Sequence, residues 1–156
     1  MTAATAADSR LTVKVDTRAS RQRVWECLAD GWTYSQWVVG NTRMRAVDPT
    51  WPAPGSVIHH TIGIWPATLN DETVVESCAP QRELVLLAKG RPLGNARISL
   101  RLFDTETGCR IEMTEVPVGG PLNWVPRRLA LAAVWPRNRE SMRRLAVLAE
   151  RREEPA

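Results

Sequence analysis

The sequence predicts an α+β domain in which one strand, two short helices, six further strands and a long C-terminal helix follow in that order. Three observations carry this. From Asn41 to Glu115 the β signal is continuous, interrupted only by proline- and glycine-rich turns. Within it, Ala96, Ile98, Leu100 and Leu102 alternate with Arg97, Ser99 and Arg101, so one face of the sheet is apolar and the other charged. Near the end, Met142, Leu145, Ala146 and Ala149 recur at helical period and form one apolar stripe. Consecutive strands joined by short turns make an antiparallel meander. The long helix is the one element large enough to cover its apolar face.

Taken in order, Met1 to Arg10 is small and polar and reads as a flexible tail. Leu11, Val13 and Val15 alternate with Thr12, Lys14 and Asp16 in a half-buried strand. Ser20 offers an N-cap to a short helix with Val24, Trp25 and Leu28 on its inner side, ended by Asp30-Gly31. Trp25 and Trp37 are expected in the core, and Trp32, Tyr34 and Trp37 form a second short helix or turn. Strands are expected over Thr42–Val47, Val57–Ile64, Leu69–Cys78, Leu84–Lys89, Ala96–Leu102 and Cys109–Thr114. Pro49 to Gly55, Pro66, Pro80, Gly90 with Pro92, and Thr107-Gly108 supply the breaks. Gly119, Gly120 and Pro121 lead into the helical third. There, Leu129 to Trp135 is apolar on every side and is expected to be covered all round. Pro136 should kink or split the helix, since proline lacks an N–H and clashes with the preceding turn. The domain is expected to span 11–152, with 153–156 a second tail.

The chain has 156 residues, 44% hydrophobic and 24% charged, an ordinary globular composition. Its net charge of +4 is almost all arginine, with lysine only at positions 14 and 89. The arginines are interleaved with Asp and Glu, which reads as a solvated mixed-charge surface from a GC-rich genome and not as a nucleic-acid site. Cys27, Cys78 and Cys109 show no CxxC pair and no histidine at zinc-ligand spacing, so they read as free structural thiols. No secretory h-region and no membrane-span-length apolar run is present, and a cytoplasmic location is expected. Nucleotide, metalloprotease and serine-hydrolase motifs are missing, so neither a cofactor nor a metal is expected.

Val24-Trp25-Glu26-Cys27-Leu28-Ala29-Asp30, followed by Trp37, resembles the first-helix signature of the SRPBCC superfamily. That group includes START lipid-binding domains, pollen-allergen-like proteins and polyketide cyclase/dehydrase proteins. Pro54-Gly55 before a strand, Thr107 to Ile111 at the turn into the last strand, and Asn138 to Glu150 resemble its later landmarks. The resemblance covers residues 11 to 152. It implies a helix-grip fold, in which a curved seven-stranded antiparallel sheet wraps a long helix with a cavity between them. The family has no shared catalytic motif, so it carries no residue role across. Proline-rich Ala46 to Pro54 and Pro136 depart from its pattern.

Strand parity selects the inward polar groups. His60 shares a face with Ile58, Ile62 and Ile64, whereas His59 points away; His60 is a candidate general acid/base or ligand anchor, or else a satisfied core histidine. Glu115 shares parity with Ile111 and Met113 and is a candidate proton shuttle if the strand stays regular, or solvated if it ends at Thr114; inward, it can also pair with an arginine such as Arg128. Asn138 falls on the helix's apolar stripe, there to bind a ligand or to satisfy backbone groups freed by Pro136. Seven tryptophans against one tyrosine and one phenylalanine suit the wall of an apolar pocket as well as a core. Trp51, Trp65, Trp124 and Trp135, with Tyr34, are expected at its rim, and Met142 is a further ligand-facing candidate.

The residues favour a module that binds a small hydrophobic or amphipathic molecule (a lipid, polyketide or aromatic metabolite) between sheet and helix. The alternative is a polyketide cyclase/dehydratase-type enzyme using His60 and Glu115 for proton transfer. Behind these stands a protein, RNA or membrane interaction module built on the basic helix.

Overall fold

A computed structural model describes residues 12–90 and 94–152. The expected tails at 1–10 and 153–156, and the turn at Pro92, lie outside the described residues. The elements are β1 (Thr12–Thr17), α1 (Arg21–Ala29), a 3-10 turn (Gly31–Thr33), α2 (Tyr34–Trp37), β2 (Asn41–Val47), β3 (Val57–Ile64), β4 (Ala67–Ala79), β5 (Glu83–Gly90), β6 (Gly94–Thr105), β7 (Gly108–Gly119), a 3-10 turn (Pro121–Trp124) and α3 (Arg127–Arg151). The seven strands form one antiparallel sheet in the order β1-β7-β6-β5-β4-β3-β2. The fold is helix-grip: a seven-stranded antiparallel sheet around a long C-terminal helix, with the short helices inserted after β1.

Local sequence accounts for the ends of α1. The Ser20 side chain accepts from the Arg23 N–H at 3.2 Å, satisfying a donor the first turn leaves orphaned. Period two then separates the two faces of the sheet. Leu84, Leu86, Ile98, Leu100, Ile111 and Met113 are buried on the concave face. The convex face carries cross-strand ion pairs: Asp16–Arg110 at 2.8 Å, Glu83–Arg101 at 2.7 Å and Glu76–Arg97 at 2.6 Å. His59 belongs to this face and lies 3.5 Å from Glu72.

The two halves of α3 differ. In the second, Met142, Leu145, Ala146 and Ala149 are buried against β1, α1, α2 and β7. Its C-terminal end is tied down by Glu150, which accepts from the Thr17 hydroxyl at 2.7 Å and the Arg18 N–H at 3.0 Å, and by Arg152 on Asp30 at 2.9 Å. The first half is not covered all round. Leu129 is 64% exposed, and Ala132, Ala133 and Trp135 are exposed with it.

Pro136 neither splits the helix nor ends it: α3 is continuous from Arg127 to Arg151. The proline is exposed, so the carbonyl it leaves without an intrahelical donor lies toward solvent. The turn that follows is pinned. Ser141 Oγ donates to the Arg137 carbonyl and accepts from the Val39 N–H, both at 3.0 Å.

Since β3, β5 and β7 run one way and β4 and β6 the other, the tip at 64–67, the end of β5 at Gly90, the start of β6 at Gly94 and the segment 119–124 gather at one end of the sheet. The helix enters the fold there. Gly63, at the β3–β4 tip, has φ +98, and an added Cβ would collide with the Ala67 carbonyl, so this close turn requires glycine.

Candidate functional site

Between the concave face, α2 and the middle of α3 lies a cavity of about 330 Å³. Its walls are apolar: Ile62, Leu86, Ala88, Ala96, Ile98 and Met113 from the strands, Trp37 and Val38 from α2 and its cap. Gly63, Gly90 and Gly94 also line it, which places its mouth among the strand tips. Polar side chains enter from two sides.

On the β3–β4 side, His60 is 3% exposed and its Nε2 lies 2.9 Å from Thr73 Oγ1. The Tyr34 hydroxyl reaches the same oxygen at 3.4 Å, with the Tyr34 and His60 rings 5.2 Å apart. The three therefore form a string. Burial, and then the Arg45 guanidinium and His59, pull the His60 imidazolium down to about 4, so the ring is neutral near pH 7. Burial pushes the Tyr34 phenol up to about 12, against the opposing Thr73 hydrogen bond, so it stays a donor. The other imidazole nitrogen, Nδ1, and the amide oxygen of Asn41 are buried without a hydrogen-bond partner. Both residues line the cavity.

On the β7–α3 side, Glu115 Oε2 accepts from Arg137 Nη2 and from Asn138 Nδ2, each at 2.6 Å. Arg137 Nη2 also donates to Asn138 Oδ1 at 3.0 Å. β7 does not stop at Thr114. It runs to Gly119, and that regular pleat turns Glu115 inward. Its arginine partner is Arg137 and not Arg128. Asn138, 1% exposed, spends its amide on Glu115 and Arg137 and makes no bond to the backbone freed by Pro136.

Of the residues singled out from sequence, Tyr34, His60, Glu115 and Asn138 line the cavity. Trp51, Trp65, Trp124, Trp135 and Met142 do not. Trp51 packs against the core and donates its indole N–H to the Leu28 carbonyl at 3.1 Å. Met142 is fully buried beneath the sheet. Trp65 and Trp124 are 84% and 88% exposed at the open end, and Trp135 lies under Arg139 at 5.4 Å. Trp37 is buried as expected and also forms cavity wall. Sequence reasoning missed Asn41, Asp71, Thr73, Arg137 and Ser141. For Asp71 and Thr73 a signal existed, since both share parity with Leu69 and Val75.

Among the described residues, no three His, Cys, Asp or Glu side chains converge as a metal ion requires. Cys27, Cys78 and Cys109 are free thiols. No helix among the described residues is long and apolar enough to cross a membrane.

Residues 8–150 match the family model described as polyketide cyclase / dehydrase and lipid transport. No protein of curated function matches the sequence significantly. Among solved structures, protein NE0264 from Nitrosomonas europaea is 16% identical with a TM-score of 0.72, covering 94% of this chain and 98% of that one. The di-domain ARO/CYC StfQ from the steffimycin biosynthetic pathway is 11% identical with a TM-score of 0.69, over 95% of this chain and 54% of that one. Ara h 8.0201 is 11% identical with a TM-score of 0.67, over 90% of this chain and 96% of that one. At these identities the structures share the fold.

Proposed function

The chain belongs to the polyketide cyclase / dehydrase and lipid transport family, within the SRPBCC superfamily, and from this we propose that it binds one compact hydrophobic or amphipathic molecule in the cavity between sheet and α3. The observation that carries this reading is an apolar chamber of about 330 Å³ with polar side chains entering from two sides. Such pockets run from roughly 300 to 1,000 Å³, so this one suits a few fused rings or a short chain better than a two-chain lipid. Apolar walls supply the affinity. The Tyr34–Thr73–His60 string and the unpartnered Asn41 oxygen fix orientation by hydrogen bonds to ligand oxygens or hydroxyls.

An NMR screen of fused-ring phenols, polyketide-like aromatics and short fatty acids tests this. Binding is expected to shift backbone resonances at His60, Thr73, Ile98 and Asn138 together. Shifts confined to residues outside the chamber, or none across the panel, would remove the reading.

A second reading is favoured by one observation: His60 holds a neutral ring with an unpartnered nitrogen, linked through Thr73 to a phenol. In it the chamber folds a polyketide-like chain for cyclisation or dehydration, as the ARO/CYC label of StfQ suggests. His60 and Tyr34 then move protons. Glu115 holds Asn138 and Arg137 in place, because its Oε2 is already occupied by both. Incubation with a reactive poly-β-ketone thioester is the test. The expected result is a cyclised product that His60→Gln and Tyr34→Phe suppress; the same product mixture with and without protein would exclude it.

A further inference from the structure

We infer that the open end of the fold is a docking surface for an anionic membrane. Among the described residues, most of the exposed large apolar side chains collect there, Trp32 and Phe103 lying elsewhere; the largest are Ile64, Trp65 and Leu69 on the β3–β4 tip, and Trp124, Leu129 and Trp135 in and before the first half of α3. The strand directions that bring the tips at 64–67 and 119–124 to one end make this a single region. Exposed apolar surface on this scale marks an interaction site.

Charge selects the partner. Segments 61–70 and 116–139 contain no Asp or Glu and four arginines, at 127, 128, 137 and 139; Arg137 is taken up by Glu115, which leaves the other three as the positive charge of this end. Arg128 and Arg139 are exposed, and Arg139 stacks over Trp135 at 5.4 Å. Indoles with arginines and no carboxylates are the composition that seats at the headgroup level of an anionic bilayer. Shape argues the same way. The apolar groups stand on two separate protrusions beside a cavity mouth, which a fluid interface accommodates and a protein partner would have to match. No helix among the described residues is long and apolar enough to cross a membrane, and the contact inferred is a peripheral one. Docking this end would set the mouth of the cavity against the apolar phase. The inference stands whether or not the cavity holds a ligand.

Flotation of the full chain with unilamellar vesicles tests it, comparing phosphatidylcholine alone with equal parts phosphatidylcholine and phosphatidylglycerol. The chain is expected to float with the anionic vesicles and to be released by high salt. Trp65→Ser/Trp124→Ser should lower the partition coefficient about tenfold, and Arg128→Gln/Arg139→Gln about fivefold for each arginine removed. All four side chains are exposed, so unchanged circular dichroism and melting are expected. Leu129→Gln, on the same face, gives an independent loss without touching the hairpin. Failure to float with anionic vesicles, or flotation indifferent to these variants, would overturn the proposal. So would a concentration-dependent dimer that Leu129→Gln abolishes, since that assigns the face to a second copy of the chain.

Discussion

Asn138 on the long helix and Glu115 on the last strand meet at 2.6 Å, and the same carboxylate oxygen takes Arg137 at 2.6 Å. This junction sits where α3 parts from the sheet and the cavity opens. It fixes the angle of the helix immediately after Pro136, and Ser141 reinforces it through Val39.

Removing the amide leaves a largely buried carboxylate oxygen short of a donor. Asn138→Ala is therefore expected to cost about 1–3 kcal/mol. Glu115→Ala/Asn138→Ala should cost less than the two single changes together, because the second removes the group the first stranded. Urea denaturation of the four proteins checks this; additive losses would show that the pair is not coupled.

The two halves of α3 should respond differently. Leu145 is fully buried, and Leu145→Ala is expected to cost about 2–5 kcal/mol from lost burial and the cavity left behind. Met142→Asp should prevent folding, by setting an unpaired charge against the sheet. Trp124→Ser, at a side chain 88% exposed, should stay within about 0.5 kcal/mol. Equal losses in both halves, read from melting curves, would contradict the packing described.

Acid should act through His60. Burial, with Arg45 and His59, holds the ring at about 4 in the folded chain, against an ordinary value near 6.5. Between those values the unfolded chain binds the extra proton, so stability falls as pH drops through that window. The loss approaches on the order of 3 kcal/mol at its lower end. His60→Gln keeps a hydrogen bond to Thr73 available and cannot titrate. Its denaturation midpoint should fall less than the parent's between pH 7 and 4.5. Parallel curves would mean that the ring titrates near its ordinary value.

The architecture was legible because one rule, alternation, governs most of the chain. The Val57–Ile64 strand matches its residues end to end, and the same parity turned His60 inward and His59 out. Parity also placed Glu115, once β7 proved to run on past Thr114. The tryptophans were another matter. An indole count records how much aromatic surface exists and nothing of where it points. Trp51 faces the core, and Trp65 and Trp124 face solvent. The apolar Leu129–Trp135 stretch misled for a related reason: a helix apolar on all sides is usually buried, but here Leu129 and Trp135 are exposed. Arg137 could not be foreseen as the partner of Glu115, since twenty-two residues separate them and only the tertiary helix angle brings them together.

Occupancy of the chamber is the most direct test of the central claim. Ala96 and Ala88 line it, and Ala96→Trp or Ala88→Phe would fill it from the sheet side. Isothermal titration with the best fused-ring phenol from the NMR screen is expected to give one site per parent chain, and at least tenfold weaker binding to whichever filled variant retains the parent's circular dichroism and cooperative melting. Undiminished binding by such a folded, filled variant would contradict the assignment of the cavity as the ligand site.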